Sequence, residues 1–178
     1  MKTSENMGGL IVEKYNMIET EAKIRLSEKE FNDLYEKLGS PDFILQKNWG
    51  YFFDENMLRI REEDEKRYVT LKRKSLEKKA NGYNSREEIE FGISDIEAAK
   101  KVFEIFGLPA ECYYEKKRAT VNKKDCVICF DKINENQYFI EVEGEEKDIE
   151  RILKEFNLES KPIETRNYFQ IIKGGYQE

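Results

Sequence analysis

The sequence contains no histidine. That absence removes Ser-His-Asp and Cys-His nucleophilic machinery, HExxH zinc sites and any imidazole general base. Cysteine is scarce and odd in number, three in all, which argues against a disulfide framework. Proline also numbers three, and no Pro/Gly-rich stretch marks a linker. No apolar run approaches the ~20 residues of a membrane span. The opening segment MKTSENMGGLIVEKYN carries Glu5 and too short an apolar stretch for a signal peptide. The expected compartment is the cytoplasm, with no membrane partner. Chemistry must rest on carboxylates, lysine, arginine, tyrosine, hydroxyls or a bound metal.

What the chain does have is charge. Of 178 residues 38% are charged, against about 25% in ordinary globular domains. Thirty-one cations against 37 carboxylates leave a net charge of −6, a balance that argues against a nucleic-acid partner. Aromatics at 12% exclude a disordered chain.

Residues 1–16 show little periodicity and read as a weakly ordered extension. Residues 17–178 read as a single domain. Met17–Leu26 alternates as a strand. Ser27 and Glu30 form a capping box for a helix that Gly39 ends. Strands follow at Phe43–Phe53, Leu58–Arg61, Tyr68–Lys74 and Arg86–Phe91, with a polar loop over 75–84. Asp95 caps a second helix, stopped by Gly107. Three more strands, Cys112–Thr120, Asp125–Lys132 and Gln137–Glu143, precede an amphipathic helix over Glu146–Phe156 and a short one over Thr165–Ile172. The fold class is α+β, with about eight strands.

Residues two apart on a strand share a face, and here such pairs are charged. Glu19, Glu21, Lys23 and Arg25 share one face. So do Arg59 with Arg61, Lys72 with Lys74, Arg86 with Glu88 and Glu90, Lys116 with Arg118, and Glu141 with Glu143. A solvated antiparallel face gives the same pattern. Helices must cover one face of the sheet, and the apolar face is available for that. If the sheet curls, the charged face lines a lumen. Such a lumen suits a polyphosphate held by Lys and Arg, with divalent metals held by Glu.

Glu19-Thr-Glu21-Ala-Lys23 resembles the ExExK signature of the CYTH superfamily of triphosphate tunnel proteins. That superfamily includes class IV adenylate cyclases, thiamine triphosphatases and inorganic triphosphatases. Later segments fall in the family's order: Leu58-Arg-Ile-Arg61, Thr70-Leu-Lys72, Arg86-Glu-Glu88-Ile-Glu90, Lys116-Lys-Arg118, Asp131, Phe139-Ile-Glu141-Val-Glu143 and Asn167-Tyr168. The resemblance covers residues 17–173. It implies an eight-stranded antiparallel closed barrel, a tunnel with helices packed outside.

Charge logic assigns roles. Lys23, Arg59, Arg61, Lys72, Lys116 and Arg118 are the expected phosphate clamp. Glu19, Glu21, Glu141 and Glu143, joined by Asp131, are candidate ligands for Mg²⁺ or Mn²⁺. Glu88 and Glu90 either orient a water or a lysine or balance buried cations, and with Lys23 they are the candidate catalytic residues. Arg25 and Lys74 suit the tunnel mouth. The expected activity is metal-dependent hydrolysis of a small-molecule triphosphate: inorganic triphosphate, thiamine triphosphate or a nucleoside triphosphate. An adenylate cyclase and a non-catalytic polyphosphate or nucleotide binder are the alternatives.

The sequence departs from the family where Trp49 replaces a common Asp, where Gln137-Tyr138 replaces a Gly, and where the cyclases' "HF" element has no counterpart. The last departure favours the triphosphatase branch. Cys126 and Cys129 fall on opposite strand faces, which spoils chelation, and Cys112 is remote. Trp49, Tyr51, Phe52 and Phe53 read as core, with base stacking as the other reading. An apolar patch on the barrel wall would make a homodimer, though nothing locates one.

Overall fold

The computed structural model describes residues 14–74 and 82–173. The expected extension lies outside the described residues up to residue 13, as do 75–81 of the polar loop. Eight strands and four helices follow in the order β1 (Lys14–Leu26), α1 (Glu28–Lys37), β2 (Ile44–Phe53), β3 (Asn56–Glu63), β4 (Lys66–Lys74), β5 (Asn84–Gly92), α2 (Ile96–Ile105), β6 (Cys112–Asn122), β7 (Cys126–Ile133), β8 (Gln137–Gly144), α3 (Glu146–Glu155) and α4 (Tyr168–Lys173). β1 begins three residues before the expected start, because Lys14 pairs with Glu90 across a register shift. The final helix begins later than 165. Asn167 Oδ1 accepts from Gln170 N at 2.9 Å while Gln170 Oε1 accepts from Asn167 N at 2.9 Å. Asn167 is therefore the cap, and the helix starts beyond it.

The strands close into a barrel ordered β1-β5-β4-β3-β2-β6-β7-β8, every neighbouring pair antiparallel. Closure leaves no sheet edge and sorts each strand into an outer and an inner face. Two outer cores result. α1 and α3 cover one side, where Phe31, Phe130, Ile140, Ile149 and Ile152 are buried around Ile24 and Ile128. Ser27 starts α1 with the expected capping box to Glu30. α2 covers β2–β4, packing Ile96, Ala99 and Phe103 on Tyr51, Ile60 and Val69. Each fully buried Ile or Phe contributes roughly 1.5–3 kcal/mol relative to exposure.

A third cluster lies inside. α4 enters one end of the barrel, and Tyr168, Phe169 and Ile171 pack against Met57, Tyr114, Ile133 and Phe139. Gly50 on β2 makes this possible: a Cβ there would sit 2.5 Å from the Phe169 ring.

Candidate active site

Register places the charged pairs on the inner face. Lys23 stands opposite Glu141, and Glu21 opposite Glu143. Arg118 faces Asp131, and Lys72 faces Glu88. The interior is a cavity of about 1050 Å³, whose wall includes Lys23, Arg59, Arg61, Lys72, Lys116 and Arg118 beside Glu19, Glu21, Glu88, Glu90, Glu141 and Glu143. Its residues fall into four groups.

The first is a knot around Asp131, which is wholly buried. Its two oxygens accept from Lys116 Nζ at 2.8 Å, Arg118 Nε and Nη2 at 2.8 and 2.6 Å, and Tyr168 Oη at 2.6 Å. Burial alone would raise this carboxyl; Arg118 and Lys116 overturn that and hold it below its usual range. The sequence grouped Asp131 with the metal ligands, but its lone pairs are taken by cations and a phenol. It stands outside the carboxylate cluster. Burial and the neighbouring Arg118 push Lys116 down to about 7.

The second group is that cluster. Carboxylate oxygens of Glu21, Glu141 and Glu143 lie within 4.8 Å of one another. Burial, with Glu141 and Glu21 close by, raises the Glu143 carboxyl against the pull of Arg118. Glu141 is also bonded to Arg118 and lies 3.4 Å from Lys23. Burial would raise it, but Arg118, Lys23 and Lys116 hold it well below the carboxylate range. Three crowded carboxylates facing a cavity form a hard-oxygen donor set suited to Mg²⁺ or Mn²⁺. Glu19, also expected among the ligands, is not in this trio.

Glu19 belongs to the third group. It lies 4.0 Å from Lys72, which is ion-paired with Glu88. Burial and the charges of Glu143 and Glu88 raise Glu19 to about 8. Glu88 is held at about 2, where Lys72 and Arg59 outweigh the cost of burial. Their surroundings thus push the two neighbouring carboxyls in opposite directions.

The fourth group is the β3–β4 wall. Arg59 donates to Thr70 Oγ1 at 3.1 Å, and Thr70 donates to Glu90 at 2.8 Å. Arg61 Nε donates to Asn48 Oδ1 at 2.8 Å. Arg59 Nε is buried without a hydrogen-bond partner.

The floor of the cavity is the Tyr168 ring, with Lys23 Nζ at 4.5 Å and Lys116 Nζ at 4.4 Å from its centroid. Lys23 also donates to the Arg166 carbonyl at 3.2 Å. Tyr168 was visible in the sequence only as part of a motif, and its place under two lysines was not. Gln46, Asn48, Tyr68, Thr70 and Tyr114 also face the lumen or its wall. Charge counting missed them because they are neutral; their two-residue spacing on β2, β4 and β6 was the available signal.

Other expectations resolve plainly. Arg25 is exposed, its guanidinium 5.2 Å from the Phe139 ring. Lys74 stands opposite Arg86 in register. Trp49 packs on Tyr113, Tyr51 on Phe103 and Phe52 on Phe169, so each of these three rings already has a packing partner. All three cysteines are free. Cys129 faces Thr120 in the lumen wall, while Cys126 joins the outer core. Among the described residues no helix is long and apolar enough to cross a membrane.

Residues 17–167 match the family model of the CYTH domain. The chain belongs to the CYTH domain family. Members of this family bind triphosphate substrates in metal-dependent tunnels. A protein of Methanocaldococcus jannaschii named "Putative adenylate cyclase" is 27% identical over 177 residues, covering 87% of this chain and 98% of that protein. Among solved structures, a conserved hypothetical protein from Pyrococcus furiosus superposes with a TM-score of 0.73 at 22% identity, over 85% of this chain and 98% of that one. A Hippeastrum protein called a "putative adenylyl cyclase", and described as revealing a dominant triphosphatase activity, superposes at 0.65 with 21% identity, over 89% and 96%. These two likenesses bear on the CYTH fold.

Proposed function

We propose that this chain is a metal-dependent hydrolase of triphosphate-containing substrates such as inorganic triphosphate, thiamine triphosphate or a nucleoside triphosphate. One observation carries the reading: the Glu21–Glu141–Glu143 trio shares a single cavity with six lysine and arginine side chains. Lys23, Arg59, Arg61, Lys72, Lys116 and Arg118 offset the charge of the phosphate chain and of the departing diphosphate. Glu21, Glu141 and Glu143 would hold Mg²⁺ or Mn²⁺, which when bound would neutralise charge on the phosphate chain. Asp131 acts by positioning Lys116 and Arg118. Glu88, kept ionised by Lys72, is the group suited to orient the attacking water. Glu90 holds Thr70 and through it Arg59.

Phosphate release from triphosphate, thiamine triphosphate and ATP, with Mg²⁺ or Mn²⁺, tests the proposal. Release that is lost in Lys23→Ala and Glu141→Gln is expected; no release from any substrate sinks it. An adenylate cyclase is the second reading, favoured by the name of the Methanocaldococcus relative. It requires cyclic AMP and pyrophosphate to appear from ATP.

A further inference from the structure

Along β3 the inner face changes sign. Met57 packs in the cluster around α4. Arg59, Arg61 and Glu63 follow at two-residue spacing, and all three line the cavity. A strand advances roughly 7 Å over two residues, so Glu63 stands one such step beyond Arg61, on the side away from α4. β3 lies across the barrel from β8, and Glu63 is outside the Glu21–Glu141–Glu143 trio. Its bonding sets it apart from the other carboxylates of the lumen. Gln46 Nε2 and Tyr68 Oη both donate to Glu63 Oε2, each at 2.7 Å. Both donors are neutral. Arg61 Nε donates instead to Asn48. Among the described residues Glu63 makes no ion pair, and its Oε1 accepts no hydrogen bond. The adjacent Glu62, on the outer face, has two cations, Lys47 at 3.2 Å and Arg67 at 3.3 Å. Burial would raise the Glu63 carboxyl, but the Tyr68 bond, the charge of Arg61 and the Gln46 bond hold it below its usual range. Glu63 is therefore a fixed negative charge in a wall otherwise suited to phosphate.

We propose that Glu63, with the Tyr68 ring beside it, recognises a positive charge on the organic group of a triphosphate ester. The inference rests on the proposed function and narrows its substrate class to esters that carry an ammonium, free or alkylated, about one strand step from the phosphate chain. Phosphate oxygens lie against Arg59 and Arg61, and Glu63 is the next residue on that wall, so it meets the part of the ligand that follows the phosphates. Against a phosphate it would only repel; against an organic cation it gains a counter-ion. Gln46 and Tyr68 hold one carboxylate oxygen in place, and the other makes the contact. Tyr68 adds an aromatic ring already within reach of a cation, since the Arg61 guanidinium carbon lies 5.9 Å from its centroid. A carboxylate and an aromatic ring side by side suit an organic cation better than a neutral group, which would leave Glu63 with no opposite charge.

The test uses the full chain with Mg²⁺ and three ligands: inorganic triphosphate, aminoethyl triphosphate and propyl triphosphate. The two esters have side groups of equal length and differ by one positive charge. Calorimetry gives affinity. The wild-type chain should bind the aminoethyl ester roughly tenfold or more tightly than the propyl ester. In Glu63→Gln, whose amide oxygen can still accept from Gln46 and Tyr68, that preference should vanish. Inorganic triphosphate, which has no organic group, should still bind the variant, showing that it is folded. Equal binding of the two esters by the wild-type chain overturns the inference without any variant. A preference that survives in Glu63→Gln overturns it as well, because the charge is then read elsewhere. Binding of triphosphate but of neither ester shows that the lumen takes no organic group, and overturns the inference while the triphosphate reading stands. If triphosphate and both esters all fail to bind the wild-type chain, the function reading falls and this inference falls with it.

Discussion

Asp131 shows how a single carboxylate governs its neighbours. It satisfies one lysine, one arginine and one tyrosine at once, all at a fully buried position. Asp131→Ala leaves Lys116 and Arg118 facing each other without their shared counter-ion. Breaking a buried pair in this way costs about 3–5 kcal/mol. Urea unfolding should show that loss, and a change under about 1 kcal/mol would contradict the positioning role of Asp131. Glu19 makes a different prediction. Its carboxyl, at about 8 in the folded chain, has an ordinary value of 4.5. Between those values the folded chain holds a proton that the unfolded chain has released, so stability falls as pH rises. Glu88 shifts the other way, to about 2, and its stabilising share is lost only on acidification. Lys116, at about 7, adds an opposite slope above that pH. Glu19→Gln should therefore flatten the decline in melting temperature between about pH 5 and pH 7. An unchanged slope would show that Glu19 does not hold the proton.

At the scale of elements, α4 and β2 depend on each other. Gly50 is required because Phe169 occupies the space a side chain would take. Gly50→Ala should destabilise the protein by about 1–3 kcal/mol through overpacking and lower affinity for triphosphate by displacing the floor. Phe169→Leu in the same chain should recover part of both losses, a coupling measurable by a double-mutant cycle. Additive effects would mean the two residues do not meet. Elements were largely legible in the sequence, since strand alternation, the Ser27–Glu30 box and the Asp95 cap are local signals that tertiary packing left intact. The lumen was legible wherever charge marked it. It was illegible on β2, where Gln46, Asn48 and Gly50 carry the same spacing without charge. The bonding of Asp131 to Lys116, Arg118 and Tyr168 was hidden for a related reason: a sequence counts carboxylates but does not say which of their oxygens are already bonded. The floor was missed because α4 reads as a short terminal helix, and nothing local tells such a helix to enter a barrel.

For the whole molecule, the interior holds several cations close together before any ligand arrives. A bound triphosphate with Mg²⁺ should stabilise the fold by mass action, by about 2.7 kcal/mol at a hundred times Kd. Thermal melts with increasing triphosphate should rise accordingly, and added salt should weaken the effect. Melts that ignore triphosphate would argue that the lumen is sealed to it. The ring of strands closes by pairing β1 with β8, and the floor is laid by residues beyond β8. During synthesis, then, the first strand to emerge waits for the last, and such distant pairing is slow to form. A message cut short before Tyr168 would not produce a weaker version of this protein. It would produce a cup without a base, and a cut before β8 would leave two open strand edges inviting other chains to pair. The geometry that builds the site also makes it all-or-none, assembled only once β8 and the residues beyond it have joined the barrel.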